Sequence, residues 1–530
     1  MELDSRKQKL ILGILFIAAL GLRLWNVTND LNDFHHFRQT YTAAFAKHFY
    51  EYSMNIFKPN LDILNYKNIS EFQIYAYMVA VFYKIFGFHD IIGRFISIFF
   101  SALSFFVFYR LVEKVYDSIT ALIAAFLFSF LPLMIFYSRV FMLESMMLFL
   151  SISLIYTSLL WIETEEKKYM AAAGVFTALT LLIKIPTLYM LIPVAFMILN
   201  RYGFRFLLMP RFYIFGVLSI TPALYWYFLH ARLFPEDSIV DKEAVGIYYS
   251  REAWEYYFYL MKNPATWAKI FLEHIAEYHL AVSVFLFALA GIFLNFRSAF
   301  SLKKTYNYTP NSWIFPFWVL GFIVFILAFI APNAAHEYYQ LPIVPPMIAI
   351  AAFYLRNILE MYLQNRSSAL MKTALLIHAI LLLSILPFSY GKLKARLTPD
   401  PFYNRFGDEA KKLTDRKDLV VVLDNTPRTE VFYFSDRRGF QLIMPGVFQF
   451  ALSTVPPEIK TKYISELEDY RSKGAKYFFT PYGEFAVYIP WFKQYLDEKY
   501  ECLLGCNVTP EMVVRKDPSI KGFIYRLSEK

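Results

Sequence analysis

The chain has 530 residues, 57% hydrophobic and 20% aromatic, with 18% charged and a formal net charge of +10. That little charge in so long a chain excludes an ordinary soluble protein. The basic excess does not imply a nucleic-acid partner: no basic block with interleaved aromatics stands outside the apolar runs, and Lys and Arg gathered in cytoplasmic loops account for it.

Residues 1–9 are short and charged, and no small-residue cleavage site follows Leu20, so residues 10–27 read as an uncleaved first span. Residues 28–71 form a polar and aromatic loop outside that span. Within it, Asn32-Asp-Phe-His-His-Phe-Arg-Gln-Thr-Tyr-Thr42 packs a carboxylate (Asp33), two histidines (His35, His36) and a guanidinium (Arg38) into one short stretch. Residues 72–87 are apolar but too short to cross ~30 Å of hydrocarbon, and they carry Gln73 and Lys84. They read as a helix lying in the interface, a choice that sets the side of every later loop.

Ten further spans follow, at 91–109, 118–137, 142–162, 169–184, 186–200, 212–231, 277–296, 313–331, 339–356 and 371–389. With the N-terminus inside, every inside segment is basic: Arg6/Lys7/Lys9, Arg110/Lys114, Lys167/Lys168, Arg201/Arg205/Arg211, Arg297/Lys303/Lys304 and Arg356/Arg366/Lys372. The expectation is a polytopic α-helical membrane protein of about eleven spans, N-terminus inside and C-terminus outside. Two of the segments meet at Lys184-Ile-Pro186 and are short for full crossings. Irregular backbone at that depth has to line a cavity or be buried in protein. Residues 232–276 and 332–338 are further outer segments.

After residue 390 the composition changes. Asp418–Asp424 reads as a strand, Pro457–Lys473 as an amphipathic helix stopped by Gly474, and Ala475–Thr480 as the next strand. The organisation expected is a membrane domain over 1–390 and a soluble extracytoplasmic α/β domain over 391–530. The two cysteines, Cys502 and Cys506, are too few for a disulfide scaffold or a Cys-based metal site; their spacing on an oxidising side permits a bond without requiring one.

In this topology the polar outliers fall on one side of the membrane. Asp33, His35, His36, Arg38 and Glu71 lie in the first outer loop, Arg139 and Glu144 in the turn Tyr137-Ser-Arg-Val-Phe-Met-Leu-Glu144, Lys184 at the break, and His336, Glu337 and Tyr338 in the last outer loop. A charge at the bilayer centre costs roughly 2.5–3.5 kcal/mol on insertion scales, so such groups collect where they do work. Each also has an ordinary structural role open to it. Arg139 and Glu144 could pair with each other, Lys184 could snorkel, and Glu71 could favour the dipole of the following helix. His36 and His336 could be packing or surface histidines, and Asp33 could cap a helix over Phe34–Tyr52. Taken together, they suit transfer from a membrane-bound phosphate. Arg38, Arg139 and Lys184 would stabilise the leaving phosphate, and a carboxylate would take the proton of an attacking hydroxyl or amine. There is no P-loop or Rossmann glycine signature, so a nucleotide is not expected. No cofactor is required on this reading; the His and Glu residues could hold a divalent metal, although no H-x-x-x-H spacing occurs.

The order of these features carries a resemblance. One span, an outer loop with an acidic residue and an interfacial helix ending in Phe86-Gly87 come first. Gly93-Arg94-Phe95, Ser138-Arg139 with Glu144, Leu182-Ile-Lys184-Ile-Pro186 and His336-Glu-Tyr-Tyr-Gln-Leu-Pro-Ile-Val-Pro345 follow. Over residues 8–390 the chain resembles the GT-C membrane glycosyltransferases, especially the protein O-mannosyltransferase and lipid A aminoarabinose transferase group. The resemblance implies the GT-C fold and an inverting transferase that uses a polyprenyl-phosphate-linked sugar on the periplasmic or extracellular side of the cell membrane. The acceptor would be a glycan, lipid or protein. It also implies Asp33 and Glu144 as catalytic acidic residues, with Arg139, Glu71 and Lys184 on the substrate; Arg38, His336, Tyr338 and Tyr339 complete the expected binding set. The usual Asp-Glu pair is replaced here by Asp33-Phe-His-His-Phe-Arg38, which leaves Asp33 and His36 both open as the base. Two rivals stay in view: a ligase moving a whole oligosaccharide from a lipid diphosphate, and a flippase, which would favour internal repeats that this sequence lacks.

Overall fold

A computed structural model describes residues 4–66, 71–230, 251–300, 310–424, 426–444 and 455–529. The chain divides into two compact units. The first comprises Met1–Thr28, Ser70–Tyr75 and Ile91–Leu397; the second comprises Asn29–Ile69, Ala76–Asp90 and Thr398–Lys530.

The first unit is helical. Its helices are apolar on most faces, so sequence punctuation rather than amphipathicity sets their ends. Asp117 caps Ser118–Phe130, its carboxylate accepting from Thr120 N at 2.7 Å. That helix stops at Leu131, and Pro132 opens the next, Pro132–Tyr137, where the missing N–H costs nothing. Small polar residues let Ile91–Val115 and Glu144–Thr164 approach closely: Ser97 and Ser145 are buried, and Ser145 Oγ donates to Ser97 O at 2.7 Å.

Among the described residues, seven helices are long and apolar enough to cross a membrane, or eight if the bent pair Pro264–His279 and Ala281–Arg297 is one span. Eleven spans were expected; the remaining expected segments are helices that are shorter, divided or more charged. Ser5–Leu24 carries Arg6, Lys7, Lys9 and Arg23, so no long window in it is free of several cations. The expected span 118–137 is divided at Pro132, and Lys167–Ile183 is only 17 residues long. The segment expected to lie in the interface is a 13-residue helix, Ile74–Phe86. Part of the second expected outer loop, 231–250, lies outside the described residues; Arg251–Lys262 and Pro264–His279 are helical.

The second unit is built on a five-stranded sheet: β1 (Leu419–Asp424), β2 (Arg438–Ile443), β3 (Ala475–Thr480), β4 (Tyr500–Leu504) and β5 (Phe523–Glu529), in the order β2-β1-β3-β5-β4. β1 pairs in parallel with β2 and β3, while β5 runs antiparallel to β3 and β4. Both faces of β1 are covered, as its unbroken run Val420-Val-Val-Leu423 requires. The expected helix and the strand after it are observed as Pro457–Ser472 and Ala475–Thr480, with Gly474 in the left-handed region (φ 99°) between them. Cys502 and Cys506 are disulfide-bonded.

A domain boundary was expected near residue 390, and the second unit begins its last segment at Thr398. The unit also takes in most of the first loop, because residues 62–65 lie along the free edge of β2. Ile63 forms a parallel bridge with Gly439, Leu64 N donates to Gly439 O at 2.7 Å, and Asn65 exchanges two hydrogen bonds with the Gln441 backbone. A sheet edge that would otherwise be open is thereby satisfied.

Candidate active site

The candidate residues fall into one set in each unit. In the first unit the centre is the helix break. Lys167–Ile183 ends at Lys184, whose backbone is extended (φ −161°, ψ 106°), and Pro186 lets the chain resume only as a 3-10 turn, Ile185–Met190. The extended residue carries the cation inward. Lys184 Nζ lies 3.0 Å from Glu144 Oε1, with side chains 8% and 0% exposed. Glu144 opens the helix Glu144–Thr164, where a carboxylate also meets the positive end of the helix dipole.

Lys184 Nζ further lies 5.4 Å and 5.0 Å from the ring centres of Tyr338 and Tyr339, and the His336 ring stacks on Tyr338 at 5.3 Å. Tyr137 meets Tyr338 edge-on at 6.4 Å. The break and the His336-Glu-Tyr-Tyr segment therefore form one cluster. Arg139 is fully buried and donates through one terminal nitrogen to Asn26 O at 2.6 Å. Glu144, five residues along the chain from it, is paired with Lys184. Glu71 is half-buried two residues ahead of Gln73, whose side chain donates to the Glu71 carbonyl at 3.2 Å.

In the second unit, the expected helix over Phe34–Tyr52 runs from His36 to Glu51, and its N-cap position is His35 in the left-handed region (φ 59°) rather than Asp33. A non-glycine residue held there is uncommon and marks a tightly specified turn. Asp33 is 1% exposed and accepts from the Gln39 side chain. The Arg38 guanidinium lies 5.2 Å from the Tyr41 ring centre. His36 Nδ1 is 3.2 Å from Glu430 Oε1, and its ring sits 5.3 Å from that of Tyr403.

Residues that sequence reasoning passed over thus surround His36. Glu430, fully buried, also has Arg428 NH1 at 3.6 Å; Arg428 donates to the Tyr403 hydroxyl at 3.2 Å, and Tyr482 donates to Asp424 at 3.2 Å. Burial pushes the Tyr403 phenol up to about 12, with Glu430 acting in the same direction, so it stays a proton donor. The signal available in the sequence was position: Asp424 closes a strand and is followed by a polar turn into a helix, the place where α/β sheets bind ligands.

Among the described residues, no group of three or more His, Cys, Asp or Glu side chains is arranged to hold a metal ion. Glu144 is engaged by Lys184, and Asp33 by Gln39. No step below runs through a metal.

Residues 73–226 match the family model described as dolichyl-phosphate-mannose-protein mannosyltransferase. No curated protein sequence matches the chain. Among solved structures, ArnT from Cupriavidus metallidurans bound to undecaprenyl phosphate superposes with a TM-score of 0.61 at 12% identity, over 97% of this chain and 98% of that one. The apo oligosaccharyltransferase of Archaeoglobus fulgidus gives 0.62 at 12% identity, over 94% of this chain and 73% of that one. Its complex with zinc and sulfate gives 0.59 at 13% identity, over 93% and 71%. The chain has the fold of the GT-C membrane glycosyltransferases, with multiple apolar helices and a small sheet domain at its C-terminal end.

Proposed function

We propose that the protein is an inverting glycosyltransferase that moves a single sugar from a polyprenyl-phosphate donor to a glycan, lipid or protein acceptor. It would act at the cell's plasma membrane, on the periplasmic or extracellular side, where the C-terminal domain also lies. The observation that carries this reading is the buried cation Lys184, held at a break in a membrane helix by Glu144 and two tyrosines, in a fold shared with a transferase solved with undecaprenyl phosphate. A cation fixed at that depth is a group that a lipid phosphate can meet.

In this mechanism Lys184 and Arg139 neutralise the donor phosphate as it leaves, the interaction growing as charge develops on the bridging oxygen. The acceptor oxygen or nitrogen bonds to the anomeric carbon as the carbon–phosphate-oxygen bond breaks, its electron pair leaving with the polyprenyl phosphate. The acceptor's proton goes to Asp33, or to His36 with Glu430 behind it. One displacement inverts the anomeric centre. Arg38, Glu71, His336, Tyr338 and Tyr339 would orient donor and acceptor.

The test is transfer by the full-length protein in lipid nanodiscs, supplied with labelled polyprenyl-phosphate sugars and a membrane extract as acceptor. Asp33→Asn and Arg139→Ala should each abolish transfer while insertion and thermal stability persist; full activity in both rejects the assignment. Mass spectrometry of the product separates one sugar from a whole oligosaccharide, and so this reading from the ligase.

A further inference from the structure

The sheet order β2-β1-β3 reverses direction at β1. The chain leaves β1 toward β2 on one side, whereas β3 is continued on the other toward β5. In open α/β sheets such a reversal marks the ligand position, beyond the carboxyl ends of the strands on either side of it, here β1 and β3. Asp424 is the last residue of β1, Arg428 and Glu430 follow it, and Tyr482 follows β3. Tyr403 and His36 complete the ring.

The feature that requires explanation is Glu430. It is 0% exposed and flanked by His36 and Arg428, yet neither carboxylate oxygen accepts a hydrogen bond among the described residues. A buried carboxylate with unused acceptor capacity is costly unless a ligand supplies donors. Two carboxylates against one arginine disfavour an anion, and the turn Thr426-Pro-Arg-Thr429 has no glycine to cradle a phosphate. Phe402 is 38% exposed, 4.9 Å from Tyr403 and 6.0 Å from Tyr482 between ring centres, an aromatic wall beside the polar groups. Hydroxyl donors on a ring with an apolar face match both.

We infer that this cluster is a saccharide-binding site that takes the hydroxyl-bearing end of a glycan acceptor through Glu430, Arg428 and Asp424. The inference rests on the transferase reading above and narrows its acceptor from glycan, lipid or protein to glycan.

The experiment uses the full chain in nanodiscs and saturation-transfer NMR with the methyl glycosides of glucose, galactose, mannose and N-acetylglucosamine. Ethanolamine serves as the cationic control, and undecaprenyl phosphate binding is measured in parallel. At least one glycoside should bind. Glu430→Gln, which keeps the side chain's size, and the half-exposed Arg428→Ala should each weaken it about tenfold or more, the loss of one charged hydrogen bond, with unchanged thermal midpoint and unchanged undecaprenyl phosphate binding. The inference is overturned if no glycoside binds, if ethanolamine alone binds, or if both variants bind glycosides like the parent. Failure of the parent to bind undecaprenyl phosphate would count instead against the donor assignment.

Discussion

Lys184 Nζ and Glu144 Oε1 sit 3.0 Å apart with almost no access to solvent, though 40 residues separate them along the chain. Removing one member strands the other's charge, which costs about 3–5 kcal/mol in buried pairs, whereas neutralising both is often tolerated. Lys184→Met and Glu144→Gln are therefore expected to lower the thermal midpoint strongly when made singly. The double variant should recover most of the midpoint. If Lys184 also holds the donor phosphate, that rescued protein still fails to transfer sugar, so comparing midpoint with turnover separates the structural role from the functional one.

The assignment of the base turns on Asp33 and His36. Loss of a positioned base costs about 10²–10⁴-fold in rate. If Asp33 is the base, Asp33→Asn falls by that amount and His36→Gln retains activity with an altered acceptor KM. If the His36–Glu430 pair is the base, His36→Gln carries the loss and Glu430→Gln shifts the acid limb of the kcat profile. Rate–pH profiles of the three variants distinguish these outcomes.

The second unit should be sensitive to mild acid through His48. Burial holds this imidazole down at about 4, with Asp62 opposing and Arg438 and Lys47 reinforcing. Its folded value lies below the ordinary ~6.5 of an exposed histidine, so the unfolded chain binds the extra proton first. The stability gained is complete above pH ~6.5 and is lost as pH falls through the folded value, on the order of 2–3 kcal/mol. The thermal midpoint should decline between pH 7 and 4, and His48→Gln should flatten that decline. Asp436 does not confuse the measurement. Burial raises its carboxyl, but Lys47 and Arg416 outweigh this and hold it below the usual range, so its own loss comes at still lower pH.

Gly439 sits where three backbones converge. A Cβ there would run into Val420 O, a backbone atom that cannot swing away. Gly439→Ala is expected to cost at least the ~1–3 kcal/mol typical of overpacking, and to loosen residues 62–65 as well as β2. Hydrogen exchange at Leu64 and Gln441 would report both losses, and unchanged protection at both would refute the argument.

What could be read from the sequence was whatever a short window encodes. The strand ending at Asp424, the helix stopped by Gly474 and the break at Pro186 all follow from local punctuation. Lys184 stood out because a cation within an apolar run is rare. Its pairing was not legible: Arg139 is the nearer cation to Glu144 in sequence, and only the packed helices bring Lys184 to it. Glu430 was hidden for the opposite reason. An acidic residue in a polar domain is ordinary until tertiary structure removes its water. The division of one expected span at Pro132 was not legible either, because a hydropathy window averages across it.

The bridge between Ile63 and Gly439 joins stretches on either side of the whole membrane portion. Segments that pair backbone to backbone must share a compartment, so the polypeptide has to traverse the bilayer an even number of times between them. Ten traverses, as the basic-loop pattern places them, satisfy this; an added passage through Ile74–Phe86 would not.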